Sequence, residues 1–157
     1  MRKFHRRFHF IALYAFVALA MLQGDAFAGV RLALVLGNSK YQAVPALDNP
    51  ANDAADLAQV LRDVGFEVIE QRDASRESMA KAVHDFSERL RGADVALFFY
   101  AGHGLQMNGE NYLLPVDAKI ENPSDVRFNT INLTDIQQEM EEGGSGRAAI
   151  ASASPRP

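Results

Sequence analysis

The stretch Asp94-Val-Ala-Leu-Phe-Phe-Tyr-Ala-Gly-His-Gly104 limits the fold more than any other part of the chain. Its run from Val95 to Ala101 offers no polar face, so a strand made of it has to be covered on both sides, as a central strand of a parallel sheet is. Gly102 and Gly104 then bracket a single imidazole, and glycine on either side lets the backbone turn sharply or approach another segment closely. His103 is therefore expected at the carboxyl end of a buried strand, where open α/β sheets place their ligands and chemistry. An imidazole changes charge close to neutral pH, so it can take or give a proton there. The plain alternative is a core or loop histidine whose ring is merely hydrogen-bonded. The flanking glycines carry no side chains to bury it, which favours the functional reading.

The segments before this strand supply the rest of a layered α/β fold. Val30–Leu36 is a second apolar run, closed by Gly37-Asn38, and reads as the first buried strand. After a loop from Asn38 to Asn49, Asp48-Asn49-Pro50 is a helix start, with proline at the first helical position. Ala54, Leu57, Ala58, Leu61 and Val64 recur at helical spacing before Gly65, and Phe66–Glu70 is a short strand. A crossover of this length implies parallel pairing and a right-handed connection. Ser75 is placed to cap a second helix whose stripe is Met79, Val83, Phe86 and Leu90. His84 lies off that stripe and reads as solvent-facing. The order so far is βαβαβ.

Beyond His103 the pattern becomes antiparallel. Leu105-Gln-Met, Asn108-Gly109 and Asn111-Tyr-Leu-Leu form a hairpin signal, because Asn-Gly supplies the positive φ angles of a two-residue turn. The polar stretch Ala118–Thr130 reads as a loop. Asn132-Leu133-Thr134 matches a glycosylation acceptor, but Thr134 reads better as the N-cap of a helix over Asp135–Glu142 that turns Ile136 and Met140 inward.

The first residues do not belong to this fold. A basic start containing Arg2, Lys3, Arg6 and Arg7, an uncharged run from Phe10 to Leu22, and Ala26-Phe27-Ala28 before Gly29 read as a secretory signal over residues 1–28. The run is shorter than the roughly 20 apolar residues of a membrane span, so an uncleaved anchor is the lesser alternative. Export to the periplasm or medium is the expected localisation, with no membrane partner after cleavage. The whole chain carries a net charge of −4 although four basic residues sit in the leader, which argues against nucleic acid as a partner. The chain contains no cysteine, so thiolate metal sites and disulfides are excluded. Outside the leader only His84 and His103 remain as imidazoles, too few for a histidine metal site, and no metal is expected.

Four motifs occur in a fixed order: Leu36-Gly37-Asn38 with Tyr41, then Asn52-Asp53-Ala54, then Phe99-Tyr100-Ala101-Gly102-His103-Gly104, then Tyr112-Leu113-Leu114-Pro115-Val116-Asp117. Together they resemble the large-subunit (p20) domain of the caspase-like cysteine peptidases, with the metacaspase-related bacterial branch the nearest look-alike. The resemblance covers about Arg31 to Met140, and the expected domain is residues 29–142. It implies a three-layer αβα sandwich with a mainly parallel sheet, a peptide or protein substrate, and cysteine-type endopeptidase activity. It implies His103 as the catalytic histidine and Gly104 as an oxyanion donor. It also implies Asp53 in the S1 pocket, favouring Arg or Lys at P1, whereas true caspases use an arginine from the loop after the first strand. The loop Gln42–Leu47 has none. An acid in the first turn of a helix is also stabilised by the helix dipole, so both readings of Asp53 stand. Asp117 could line the cleft, but capping a turn is favoured. Calcium enters only as a family trait, and the residues themselves name no cofactor.

The departure comes after the last helix. The family places its cysteine in an Asp-x-Cys sequence after the next buried strand. Here residues 143–157 read Gly-Gly-Ser-Gly-Arg-Ala-Ala-Ile-Ala-Ser-Ala-Ser-Pro-Arg-Pro. Ala148–Ala151 has too little bulk for a core strand, so the fold is expected to be incomplete at the C-terminus with a disordered, aberrant tail. That would leave Val95–Tyr100 as an apolar edge prone to aggregation. Ser152 or Ser154 as a substitute nucleophile would need a stronger base and a built oxyanion hole. The reading is an inactive copy of a longer peptidase broken by a frame shift or early stop near Arg147. The competing one is an exported pseudo-peptidase that binds peptides. A nucleotide-binding domain is disfavoured, since Gly37 lacks the glycine-lysine of a P-loop.

Overall fold

A computed structural model describes residues 29–143 and 147–153. The leader, residues 1–28, and parts of the tail lie outside the described residues. The first strand, β1 (Arg31–Gly37), is buried from Leu32 onward, as a run with no polar face requires. The helix α1 (Pro50–Asp63) follows, with proline in its first turn. Asn49 makes no capping bond with its side chain. The Ser39 hydroxyl does that work instead, accepting from the Ala51 N–H at 3.0 Å. A side chain at Gly37 would collide with the Pro50 carbonyl and the Ala54 methyl, so glycine there lets the helix start directly over the strand end.

The strand β2 (Glu67–Arg72) pairs parallel to β1. Helix α2 (Arg76–Leu90) is capped by Ser75, whose side chain accepts from Ser78 N. It returns the chain to β3 (Val95–Ala101), which pairs parallel to β1 on its other side. Next comes the hairpin, β4 (Gly104–Met107) and β5 (Glu110–Leu113). Its turn residues Asn108 and Gly109 have φ of 54° and 84°, the pair of positive angles an Asn-Gly turn supplies. A two-residue strand, β6 (Ile131–Asn132), joins β5, leaving β4 and β6 as the two edges of this small sheet.

Helices cover both faces of the main sheet, so the architecture is the expected α/β sandwich. On one face α1 sets Ala54, Ala58 and Leu61 against Ala33 and Val35. On the other, α2 contributes Met79, Phe86 and Leu90, packed with Leu32, Leu34, Leu36 and Phe98. The helix α4 (Leu133–Glu142) adds Ile136 and Met140 to that second face. His84 is exposed on α2, as its position off the stripe predicts.

Three expectations are corrected. The stretch Ala118–Thr130 is not all loop, because α3 (Pro123–Asn129) forms within it, closed by a reciprocal capping box between Asn122 and Asp125. A helix this short buries only Val126, so it has no stripe to announce it. The cap of α4 is Asn132, whose side chain accepts from Thr134 N at 2.8 Å, and not Thr134. Most consequential, the tail forms a strand. β7 (Arg147–Ala153) pairs parallel to β3, giving the sheet order β2-β1-β3-β7. Parallel pairing is made by main-chain N–H and C=O groups and needs no bulk, so alanines suffice. Bulk matters for cover, and there the tail is thin: Ala148–Ala151 are exposed and Leu97 and Phe99 only half-buried. The open edge is therefore β7, and β3 is interior. Among the described residues no helix is long and apolar enough to cross a membrane.

Candidate active site

The carboxyl ends of β1 and β3 are level, with Gly37 opposite Ala101, and Asn38 N–H extends the ladder to the Ala101 carbonyl at 2.9 Å. The Asn38 side chain is fully buried. Its amide donates to the Leu114 carbonyl at 3.0 Å and to the Met79 sulfur at 3.3 Å, and its Oδ1 accepts from Ala74 N at 2.9 Å. One short polar side chain thus ties the ends of β1 and β3 to the segment after β5 and to the start of α2. Asp73, at φ 50°, braces the outside of the same turn by accepting from Ser39 N and Lys40 N at 2.8 and 2.9 Å. Burial works against its charge, yet those two N–H groups and the Lys40 ammonium outweigh it and hold the carboxyl below its ordinary value.

Two tyrosines complete the floor. The Tyr100 hydroxyl lies 2.7 Å from the His103 carbonyl and 3.0 Å from that of Leu114. Carbonyls only accept, so Tyr100's single proton points there and the 3.2 Å contact with Tyr41 is donated by Tyr41. The Tyr41 oxygen in turn accepts from His103 N at 2.7 Å. The circuit runs from the N–H of His103 through two phenols back to the carbonyl of the same residue. Burial above all raises the pKa of both phenols, so they remain hydroxyls. Gly102 makes the circuit fit, since a Cβ there would lie 2.5 Å from each hydroxyl.

Above this floor the imidazole of His103 is half-buried. Its ring tilts against Tyr41, with centroids 4.6 Å apart and planes at 57°, and Nε2 lies 2.9 Å from the Pro45 carbonyl. That carbonyl requires a proton on Nε2, which leaves Nδ1 of the neutral ring as an acceptor. Gly104 follows at the exposed edge. Rungs of an antiparallel pair alternate between bonded and unbonded. Leu114 N donates to the His103 carbonyl at 3.0 Å, so the next rung, Gly104 opposite Leu113, is of the unbonded kind. The Gly104 N–H faces away from β5 and toward solvent.

A cavity of about 300 Å³ opens beside Gly104, between Leu105, Gln106, Tyr112, Leu113 and Leu133. A larger one, about 1040 Å³, lies between Ser39, Lys40, Asn52, Glu70 and Asp73 and includes neither His103 nor Gly104. The smaller is lined by Gly104 but not by His103, whose ring leans instead on Tyr41 and the Pro45 carbonyl. β7 brings its last residue toward this place, its register setting Ala153 beside Ala101, two residues before His103. Among the described residues no cluster of His, Cys, Asp and Glu could hold a metal ion.

A comparison with known families gives the family of the fold: residues 30–148 match the model of the caspase domain, a peptidase family. The chain belongs to the caspase-domain family. Two curated relatives agree. The mucosa-associated lymphoid tissue lymphoma translocation protein 1 homolog of Mus musculus is 32% identical over 120 residues, 76% of this chain. The protein of that name from Homo sapiens is 33% identical over 113 residues, 72% of this chain. The aligned part is 14% of each relative's own length, so this caspase domain corresponds to a small portion of them.

Within the domain the candidate residues part company. His103 and Gly104 share one rim. Asp53 is exposed in the first turn of α1, and its carboxylate is unpaired among the described residues. Asp117 accepts from Arg76 N at 2.8 Å, so it caps α2 and is no part of the rim. Sequence reasoning quoted Asn38, Tyr41 and Tyr100 as motif residues but gave them no work. The glycine at 102, which faces both hydroxyls, was the available sign.

Proposed function

We propose that this chain carries the histidine half of a caspase-like cysteine endopeptidase site. The observation that supports it is the tautomer: with Nε2–H on Pro45, Nδ1 is the ring nitrogen left to accept a proton, on the residue next to the Gly104 N–H. In the reaction such a site serves, a thiol gives its proton to the imidazole and the thiolate attacks the peptide carbonyl. The C–S bond forms as the carbonyl oxygen takes up negative charge, which the Gly104 N–H stabilises. The imidazolium then protonates the leaving amine as the C–N bond breaks, and water hydrolyses the thioester. Asp53 would select Arg or Lys at P1 by charge.

The 157 residues contain no cysteine, so we read this polypeptide, taken by itself, as hydrolytically inactive. A second reading, a peptide-binding pseudo-peptidase, is favoured by one feature. Among the described residues no buried side-chain nitrogen or oxygen lacks a partner, so the scaffold of the site is intact without its nucleophile. Export, inferred from residues 1–28, is tested by N-terminal sequencing of the secreted chain, with Gly29 expected first.

Single cysteines at Ala153, Ser154 and Pro155 test the catalytic reading. One of the three should alkylate at neutral pH at least about tenfold faster than a free thiol and cleave peptides with Arg or Lys at P1, and His103→Ala should abolish both. Three thiols with ordinary reactivity, indifferent to His103, would overturn it. Peptide binding by the unmodified chain in that event leaves the binding-module reading standing.

A further inference from the structure

We propose that Tyr41 is a positioning residue for His103, acting through its hydroxyl. The inference rests on the reading of His103 as the acid-base group, and assigns the reason its ring points one way. Tyr41 lies 62 residues from His103 in sequence, and the contact between them is partly buried. Its ring packs with Leu114 and Ala118, which a phenylalanine would also do. The hydroxyl does something else. It accepts the His103 N–H at 2.7 Å and donates its own O–H to Tyr100, which in turn donates to the His103 carbonyl. Both main-chain polar groups of His103 are held by the two phenols, so the residue cannot rotate about its own backbone without breaking the circuit. The tilted Tyr41 ring, its centroid 4.6 Å from that of the imidazole, then limits the side chain's directions, and Nε2 meets Pro45.

A phenylalanine at 41 leaves the His103 N–H unpartnered and opens the circuit. The imidazole should then lose its fixed hold on the Pro45 carbonyl. Gly102→Ala should do the same from below, because its Cβ would displace both hydroxyls.

The experiment is ¹⁵N NMR of the full chain, following the His103 amide and its ring Nε2–H, with His84 as the exposed internal control. In the unmodified protein the ring Nε2–H of His103 should be visible at neutral pH and that of His84 lost to exchange. In Tyr41→Phe and in Gly102→Ala, both His103 protons should exchange at least about tenfold faster, with His84 and the core methyl signals unchanged. A folded Tyr41→Phe protein with unaltered His103 exchange overturns the proposal. Should Tyr41→Phe not fold, unaltered exchange in Tyr100→Phe and Gly102→Ala overturns it equally. Failure of the cysteine series leaves these signals untouched, so the two readings fail separately.

Discussion

At the level of single residues, the site rests on small groups whose value lies in what they permit. Gly102→Ala should cost about 2–4 kcal/mol in urea denaturation, since the new methyl must push two buried hydroxyls off their partners. Asn38→Ala should cost about 2–3 kcal/mol, because it leaves the buried Ala74 N–H unsatisfied and takes from the Leu114 carbonyl one of its two donors. Asp73→Ala should cost about 1–2 kcal/mol and Asp73→Asn less, as the amide oxygen can still accept from Ser39 and Lys40. His103 stood out in the sequence as a candidate because glycine flanks the imidazole on both sides. The phenol circuit was not, since pairing Tyr41 with Tyr100 depends on strands β1 and β3 lying side by side, which no local pattern encodes.

Among the elements, those with a period were readable and those held by main chain alone were not. The strands β1 and β3 and the helices α1 and α2 announced themselves through apolar runs and stripes, and the Asn108-Gly109 turn through its chemistry. Val64 was placed on the α1 stripe but is exposed at 53%, because the helix ends at Asp63 and the chain turns away before it. The strand β7 was missed because alanine and serine carry no burial signal, yet its backbone matches β3 rung for rung. A proline pair tests it. In a parallel strand at a sheet edge, alternate N–H groups face the neighbour and solvent. Of Ala148→Pro and Ala149→Pro, one should therefore cost about 3 kcal/mol and the other far less. A tail that does not pair would leave both silent by thermal denaturation.

For the whole molecule, the buried phenols set a pH dependence. Tyr41 and Tyr100 have folded pKa values raised, chiefly by burial, while in the unfolded chain tyrosine ionises near pH 10. The stabilisation of the protonated forms is full below that value and is lost as pH rises above it, because only the unfolded chain can release the protons. Urea midpoints should fall steeply between about pH 9.5 and about pH 11, and Tyr41→Phe should flatten that fall. The order of the sheet has a consequence in time as well. The strand carrying the histidine is made before residue 104, but its second neighbour is the last strand of the described chain. During synthesis Val95–Ala101 must wait, one edge bare, until residues 147–153 have left the ribosome. The nascent chain is therefore most dependent on chaperones in that interval, and its length is set by how fast those last residues are translated.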